Sequence, residues 1–346
     1  LKIALTADPE LPVPPRLYGG IERIVDLLAV GLDSRGHSVT VFAHPKSNTA
    51  GRLVAWPGAN SRSLLDTARN AATLARGRLC DNVDVIHSFS RLAYLTPVLP
   101  LAIPKLMTYQ RDISRRTVTW AHSLSRGTLQ FSAISRWMMR GTEDIGQWTM
   151  IPNGVPLSAF DFRPSVGSDA PLVFLGRLEE IKGPHLAIEV ARRAAAPLIL
   201  AGNIPDGHRL WFDANIAPHI DDRWVRYVGP VDDTAKNRLL GAARALLMPI
   251  LWDEPFGIVM IEAMACGTPV IGLDRGAVRE VVEDGVTGFV RDGIDGLVEA
   301  CARTDRIGRA ACRARVETYY SETAIVEAYL GVYQRMLDSA RRRRGV

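Results

Sequence analysis

The stretch EPFGIVMIEAMACGTPV, residues 254–270, places two carboxylates, Glu254 and Glu262, eight positions apart. Glu254 lies in a strand-to-helix loop, and Phe256, Gly257 and Ile258 form the turn that follows it. Glu262 falls inside a nearly all-apolar helix, flanked by Ile261, Ala263 and Met264. A carboxylate there is costly to bury unless it is paired or hydrogen-bonded, which favours a sugar or ribose hydroxyl as its partner over plain solvation. Gly257 lets a ligand approach the backbone closely. The first amides of the helix have no partner inside it and suit a phosphate.

A second constellation lies upstream, in LGRLEEIKGPHLAIEVAR. Arg177 follows Gly176 at the end of an apolar strand, and Lys182 comes five residues later, before Gly183 and Pro184. Proline suits a first helical position, so two cations meet beside a helix start, an arrangement fit for a diphosphate. A helix terminus gives an exposed anion about 0.3–1 kcal/mol and a charge-assisted hydrogen bond about 1.5–3 kcal/mol. The two side chains therefore dominate over the helix dipole. Gly19 and Gly20 form a flexible turn before an early helix, where their amides could meet a phosphate. No G-x-G-x-x-G follows the first strand and no Walker A string is present, which removes the usual support for dinucleotide or P-loop binding.

The elements that must hold these groups alternate. KIALTA, VTVFAH, DVIHSFS, KLMTYQ, FSAIS and MIPNGV read as strands of a first series. ERIVDLLAVGLDSRG is a helix among them, with Ile24, Leu27, Leu28 and Gly31 on one face and a stop at Gly36. LVFLGRL, LILAGN, VRYVGP, ALLMPI, PVIGLD and GFVRD form a second series, with HLAIEVARRAA and IVMIEAMACG as helices. Such alternation predicts two parallel sheets covered by helices, hence an α/β chain of two doubly wound domains. The break falls in PLSAFDFRPSVGSDAP, residues 156–171. The expected division is 1–155, 156–320 and a terminal segment 321–346, whose helix carries Ile325, Tyr329, Val332 and Met336 on its apolar side. Ligands of open parallel sheets bind beyond the strands' carboxyl ends, so an interdomain cleft is the expected site.

Composition narrows the classes. The 346 residues are 47% hydrophobic and 23% charged, which excludes a disordered, collagenous or coiled-coil chain. Four of the formal net charge of +5 sit in Arg341, Arg342, Arg343 and Arg344, leaving a body near neutrality. Such a body argues against an extended nucleic-acid-tracking surface, while the basic tail could touch anionic lipid. The longest apolar run, YLTPVLPLAIP, has eleven residues and three prolines, too short and broken to span a bilayer. The four cysteines, Cys80, Cys266, Cys301 and Cys312, form no C-x-x-C pair and suit a reducing compartment. The expectation is a cytoplasmic protein, peripheral at the inner membrane face if the tail binds lipid.

YGGIER, FLGRLEEIKGPHLAIEVA, EPFGIVMIEAMACGTPVIG and VVEDGVTGF, in this order, resemble the retaining glycosyltransferases of family four, with the GT-B architecture of two Rossmann-like domains. The E-x7-E segment is the most specific of these, and the resemblance covers nearly the whole chain. It implies a nucleotide diphosphate sugar as donor, bound mainly by the second domain. Arg177 and Lys182 would neutralise the diphosphate, and Glu254 would bind donor-sugar hydroxyls with Phe256 and Gly257 nearby. Ile258 and Val259 would offer amides to phosphate, Glu262 would bind the ribose, and Gly20 would approach the phosphate from the first domain. Gly202 and Asn203 in AGNIPDG, and Val231 in YVGPVDD, border the expected base pocket. The family implies no cofactor and no metal, and its terminal helix crosses back onto the first domain.

One departure concerns the acceptor side. A histidine common at the end of the fourth strand, in a T-x-H pattern, is replaced in Thr108-Tyr109-Gln110, and an H-x-H pattern reads His87-Ser88-Phe89. Gln110 cannot act as a base, though it can hydrogen-bond a hydroxyl. Acceptor choice is expected around Tyr18, His87, Arg91, Gln110, Arg111 and Asp112, with sugar, lipid-linked and natural-product acceptors all open. The expected reaction is retaining transfer to an acceptor hydroxyl, assisted by the departing diphosphate rather than by a carboxylate nucleophile, for which Asp112 is a weak candidate. The alternative is a nucleotide-sugar-binding protein that is non-catalytic or depends on a partner.

Overall fold

The computed structural model describes residues 1–15 and 19–344, the side chains of 78–81 and 344 excepted. The chain divides into two compact units, Leu1–Gly154 with Glu322–Val346, and Val155–Ser321.

The first unit runs β1 (Lys2–Thr6), α1 (Gly20–Asp33), β2 (Ser38–Ala43), β3 (Arg52–Ala55), α2 (Leu64–Asp81), β4 (Val85–Ser88), β5 (Lys105–Tyr109), α3 (Arg115–Leu124), β6 (Leu129–Ala133), α4 (Arg136–Met139) and β7 (Trp148–Met150). The second runs β8 (Leu172–Leu175), α5 (Pro184–Arg193), β9 (Leu198–Ala201), α6 (Arg209–Asn215), β10 (Val225–Tyr227), α7 (Asp233–Ala242), β11 (Ala245–Met248), α8 (Ile258–Ala265), β12 (Val270–Leu273), α9 (Val278–Val281), β13 (Gly288–Arg291), α10 (Ile294–Cys301) and α11 (Arg309–Tyr319). The last helix, α12 (Glu322–Arg344), belongs to the first unit.

Each unit holds one sheet, ordered β3-β2-β1-β4-β5-β6-β7 in the first and β10-β9-β8-β11-β12-β13 in the second. Every strand pairing in both is parallel. Strand order reverses between β1 and β4, and between β8 and β11, so each sheet has one switch point where connecting loops diverge.

The second series of strands lies where the apolar runs put it. The first series differs at two places. β3, a four-residue edge strand exposed at both ends and half-buried between, is too short to give a run to read. MIPNGV is not a strand; β7 ends at Met150, and the ladder closes with Ile151 N donating to Ala133 O at 3.0 Å. Pro152 follows and has no N–H to extend it.

Helix α1 buries Ile24, Leu27 and Leu28, and α12 buries Ile325, Tyr329, Val332 and Met336. The two helices pack together at Gly31, where an added Cβ would come within 2.4 Å of Val326 Cγ2. Hydrogen at that position is what lets the backbones approach. Among the described residues, no helix is long and apolar enough to cross a membrane.

Candidate active site

At the β8/β11 switch point of the second unit, the loops after both strands carry charge. Arg177 follows β8, and its Nη2 lies 2.8 Å from Glu179 Oε1. Glu179 is buried, and His208 Nε2 stands 3.7 Å from its other oxygen. Lys182 ends a short 3-10 turn, Glu180–Lys182, before Gly183 and the Pro184 start of α5. Leu251 N donates to Ile181 O at 2.9 Å, tying that turn to the loop after β11. The tie sets Lys182 against Glu254. Lys182 Nζ donates to Glu254 Oε2 at 2.7 Å, and Trp252 Nε1 donates to the same oxygen at 3.1 Å. The ammonium also sits 4.6 Å from the centroid of the Trp252 ring, within cation–π range.

Helix α8 explains Glu262. Its residues from Met260 to Ala265 are all buried, lying between α7 and α11. The carboxylate, 7% exposed, meets Lys236 from α7: Nζ donates to Glu262 Oε1 at 2.5 Å and lies 3.0 Å from Asp233 Oδ1. The N-cap of α7 is Asp232, whose Oδ1 accepts from Ala235 N at 2.8 Å. The two carboxylates of the E-x7-E segment thus share one arrangement. Each has one oxygen held by a lysine, and among the described residues neither Glu254 Oε1 nor Glu262 Oε2 has a hydrogen-bond partner. A carboxylate so held presents an acceptor in a fixed direction.

Helix α8 starts without a side-chain cap. Its N-cap, Gly257, has φ +80°, a left-handed backbone conformation that other residues adopt only with strain. Ile258 and Val259 lead the helix with their amides. Phe256, expected near the donor sugar, is buried, with its ring edge-on to Tyr320 at 5.8 Å. It anchors the turn from within. Gly176 and Gly202 pair neighbouring strand ends, Gly176 N donating to Ala201 O at 3.0 Å and Gly202 N to Gly229 O at 2.9 Å. Tyr227 Oη donates to Gly202 O at 2.9 Å. Asn203 is exposed and accepts from Leu178 N, and Val231 lies half-exposed on the loop between β10 and α7.

At the β1/β4 switch point of the first unit the main charged group is Asp8, just past β1. Its carboxylate accepts from Arg91 N at 3.2 Å and Arg111 Nη2 at 2.7 Å. Arg91 also reaches Ser61 O with its guanidinium. Burial raises the pKa of Asp8, with Arg111 opposing. Glu22, in the first turn of α1, is buried and raised for the same reason. Gly19 caps α1 and Gly20 opens it, again without a side-chain cap. Asp112 is exposed, and Tyr18 lies outside the described residues.

Two acceptor-side candidates are hydrogen-bonded within the first unit. His87 is fully buried, with Nδ1 2.6 Å from Tyr333 Oη and Nε2 2.6 Å from Thr108 Oγ1. Its ring packs on Phe89 and Tyr329. Both nitrogens are used inside the unit, and burial holds its pKa well below the usual imidazole value. Gln110 exchanges two amide hydrogen bonds with Asn153, at 2.8 and 3.0 Å.

Trp252, Lys236, Glu179 and Asp8 were not singled out from the sequence. Trp252 stands two residues before Glu254, close enough to be noticed. Lys236 is 26 residues from its partner, on an ordinary polar helix, and carries no local signal. Among the described residues, no three His, Cys, Asp or Glu side chains converge as a metal site would require.

Residues 170–304 match the family described as glycosyl transferases group 1, and residues 18–159 match glycosyltransferase family 4. A phosphatidyl-myo-inositol mannosyltransferase of Mycobacterium tuberculosis is 30% identical over 311 residues, covering 79% of this chain and 78% of that protein. A glycogen synthase of the same organism is 28% identical over 359 residues, covering 86% and 82%. A sucrose-phosphate synthase structure from Thermosynechococcus elongatus superposes with TM-score 0.80 over 98% of this chain and 99% of its own, at 20% identity. These matches take in both units, and they establish that this chain, built on the GT-B fold, belongs to the family 4, group 1 glycosyltransferases.

Proposed function

We propose that the chain transfers a sugar from a nucleotide diphosphate sugar to an acceptor hydroxyl with retention of anomeric configuration. The supporting observation is the pair of lysine-held carboxylates, each with an open oxygen, beside Arg177 and the uncapped start of α8. Glu262 takes ribose hydroxyls and Glu254 takes hydroxyls of the donor sugar. Arg177, Lys182 and the Ile258 and Val259 amides take the diphosphate. In the free protein Lys182 is held by Glu254 and Arg177 by Glu179, so the incoming diphosphate must compete with two carboxylates.

The chemistry needs charge stabilised where it develops. As the bond from the anomeric carbon to the phosphate oxygen breaks, negative charge grows on the leaving diphosphate and positive charge on the sugar. The two cations and the helix amides stabilise the first. The acceptor oxygen bonds to the anomeric carbon on the face that the phosphate leaves, and its proton passes to the departing phosphate oxygen. No side-chain base is then required, which accords with Gln110 at the position of a histidine. Asp8 and Arg111, at the strand ends of the first unit, are suited to hold acceptor hydroxyls.

Calorimetry with UDP, GDP, ADP and their glucose and mannose esters, with and without EDTA, tests the donor site. Binding of one base series, unaffected by EDTA, is the expected result. Proton NMR of the product formed from the bound α-linked donor then tests stereochemistry. An α-linked product supports retention, a β-linked product rejects it, and binding without turnover over a broad acceptor panel favours a binding-only protein.

A further inference from the structure

Lys236 does more than neutralise a buried acid. Its ammonium lies between Glu262 Oε1 at 2.5 Å and Asp233 Oδ1 at 3.0 Å, with the Phe160 ring 5.7 Å away. The lysine is largely buried, its side chain 12% exposed, and Glu262 has no other hydrogen-bond donor among the described residues. Lys236 also sits one turn into α7, which begins where the loop carrying Val231 ends. It therefore ties the helix that bears the carboxylate to the loop bordering the expected base pocket.

We infer that Lys236 is the positioning residue for ribose recognition: by holding Glu262 Oε1 it turns Oε2 toward the ribose hydroxyls and couples that contact to the loop after β10. The inference rests on the reading of Glu262 as the ribose carboxylate. Without Lys236, Glu262 would be a buried charge with no partner; it would turn away or accept from another donor. In either case its preference for a donor hydroxyl falls. Asp233, on the exposed side of the lysine, restrains the ammonium but cannot replace it.

The test is a ratio of affinities. The full chain is titrated with whichever of UDP, GDP and ADP binds, and with the 2′-deoxy form of the same diphosphate. Wild type is expected to prefer the ribose form by about 10-fold or more, the range of one charge-assisted hydrogen bond. Lys236→Met is expected to bring the ratio within about threefold, Lys236→Arg to restore most of it, and Glu262→Leu, which removes the acceptor, to lose it. A Glu262→Leu chain that still discriminates overturns the ribose reading itself. A Glu262→Leu chain that loses discrimination, beside a Lys236→Met chain that keeps it, overturns only the role given to Lys236. A purely structural lysine would weaken both diphosphates equally and leave the ratio alone. If Lys236→Met does not fold, Lys236→Gln takes its place, and the same ratio decides.

Discussion

Lys182 and Arg177 are both cations at one switch point, yet their surroundings separate them. Arg177 leans on Glu179, and Lys182 shares Glu254 with Trp252. Arg177→Ala is expected to weaken diphosphate binding about 10–100-fold, from roughly 1.5–3 kcal/mol per lost contact. Lys182→Ala should do the same and, because Glu254 then loses its cation, also lower the preference for a donor sugar over the bare nucleoside diphosphate. Calorimetry with both ligands separates the two variants; equal losses would show that Glu254 does not depend on Lys182. At this scale the sequence was most legible where partners lie close together. Arg177, Lys182, Glu254 and Glu262 stand in two short motifs of unusual chemistry. Lys236 and Asp8 meet partners 26 and 103 residues away, and such pairings exist only once the sheets have formed. His87 was misleading because a strand-end histidine reads the same whether it faces solvent or, as here, the underside of a helix.

The elements were legible where apolar runs are dense. All six strands of the second unit and helices α1, α5, α8 and α12 follow from periodicity. The edge strand β3 did not, since it buries too little to need a pattern. Helix α7 carries the next prediction. Its cap, Asp232, lies beside the loop of Val231, so Asp232→Ala is expected to lower stability by about 0.5–2 kcal/mol, read by chemical denaturation. Binding of the nucleoside diphosphate should fall as well, because the start of α7 holds Lys236. A variant destabilised but unchanged in binding would show that the cap acts on the fold alone. Helix α8 is the opposite case: capped by Gly257 with no side chain, it leaves its first amides to whatever anion arrives.

At the scale of the molecule, His87 links pH to folding. The folded chain keeps the imidazole neutral, whereas the unfolded chain binds a proton below about 6.5. Unfolding then takes up a proton, so stability falls as pH drops below that value, by up to about 1.4 kcal/mol per pH unit. Denaturant titrations at pH 7.5 and 5.5 should show this, and His87→Gln, which cannot titrate, should flatten the dependence. An unchanged slope in the variant would assign the proton to another group.

The ring of Tyr333 on His87 belongs to a helix that comes after the whole of the second unit in sequence. In topological terms the second unit is an insertion: Val155–Ser321 is one uninterrupted stretch, while the first unit is assembled from two. During synthesis the second unit can therefore fold as soon as it leaves the ribosome. The first must wait, with His87 and Gly31 uncovered, until α12 emerges. A nascent chain halted at Ser321 would present one finished body and one open apolar face, the kind of surface that chaperones bind.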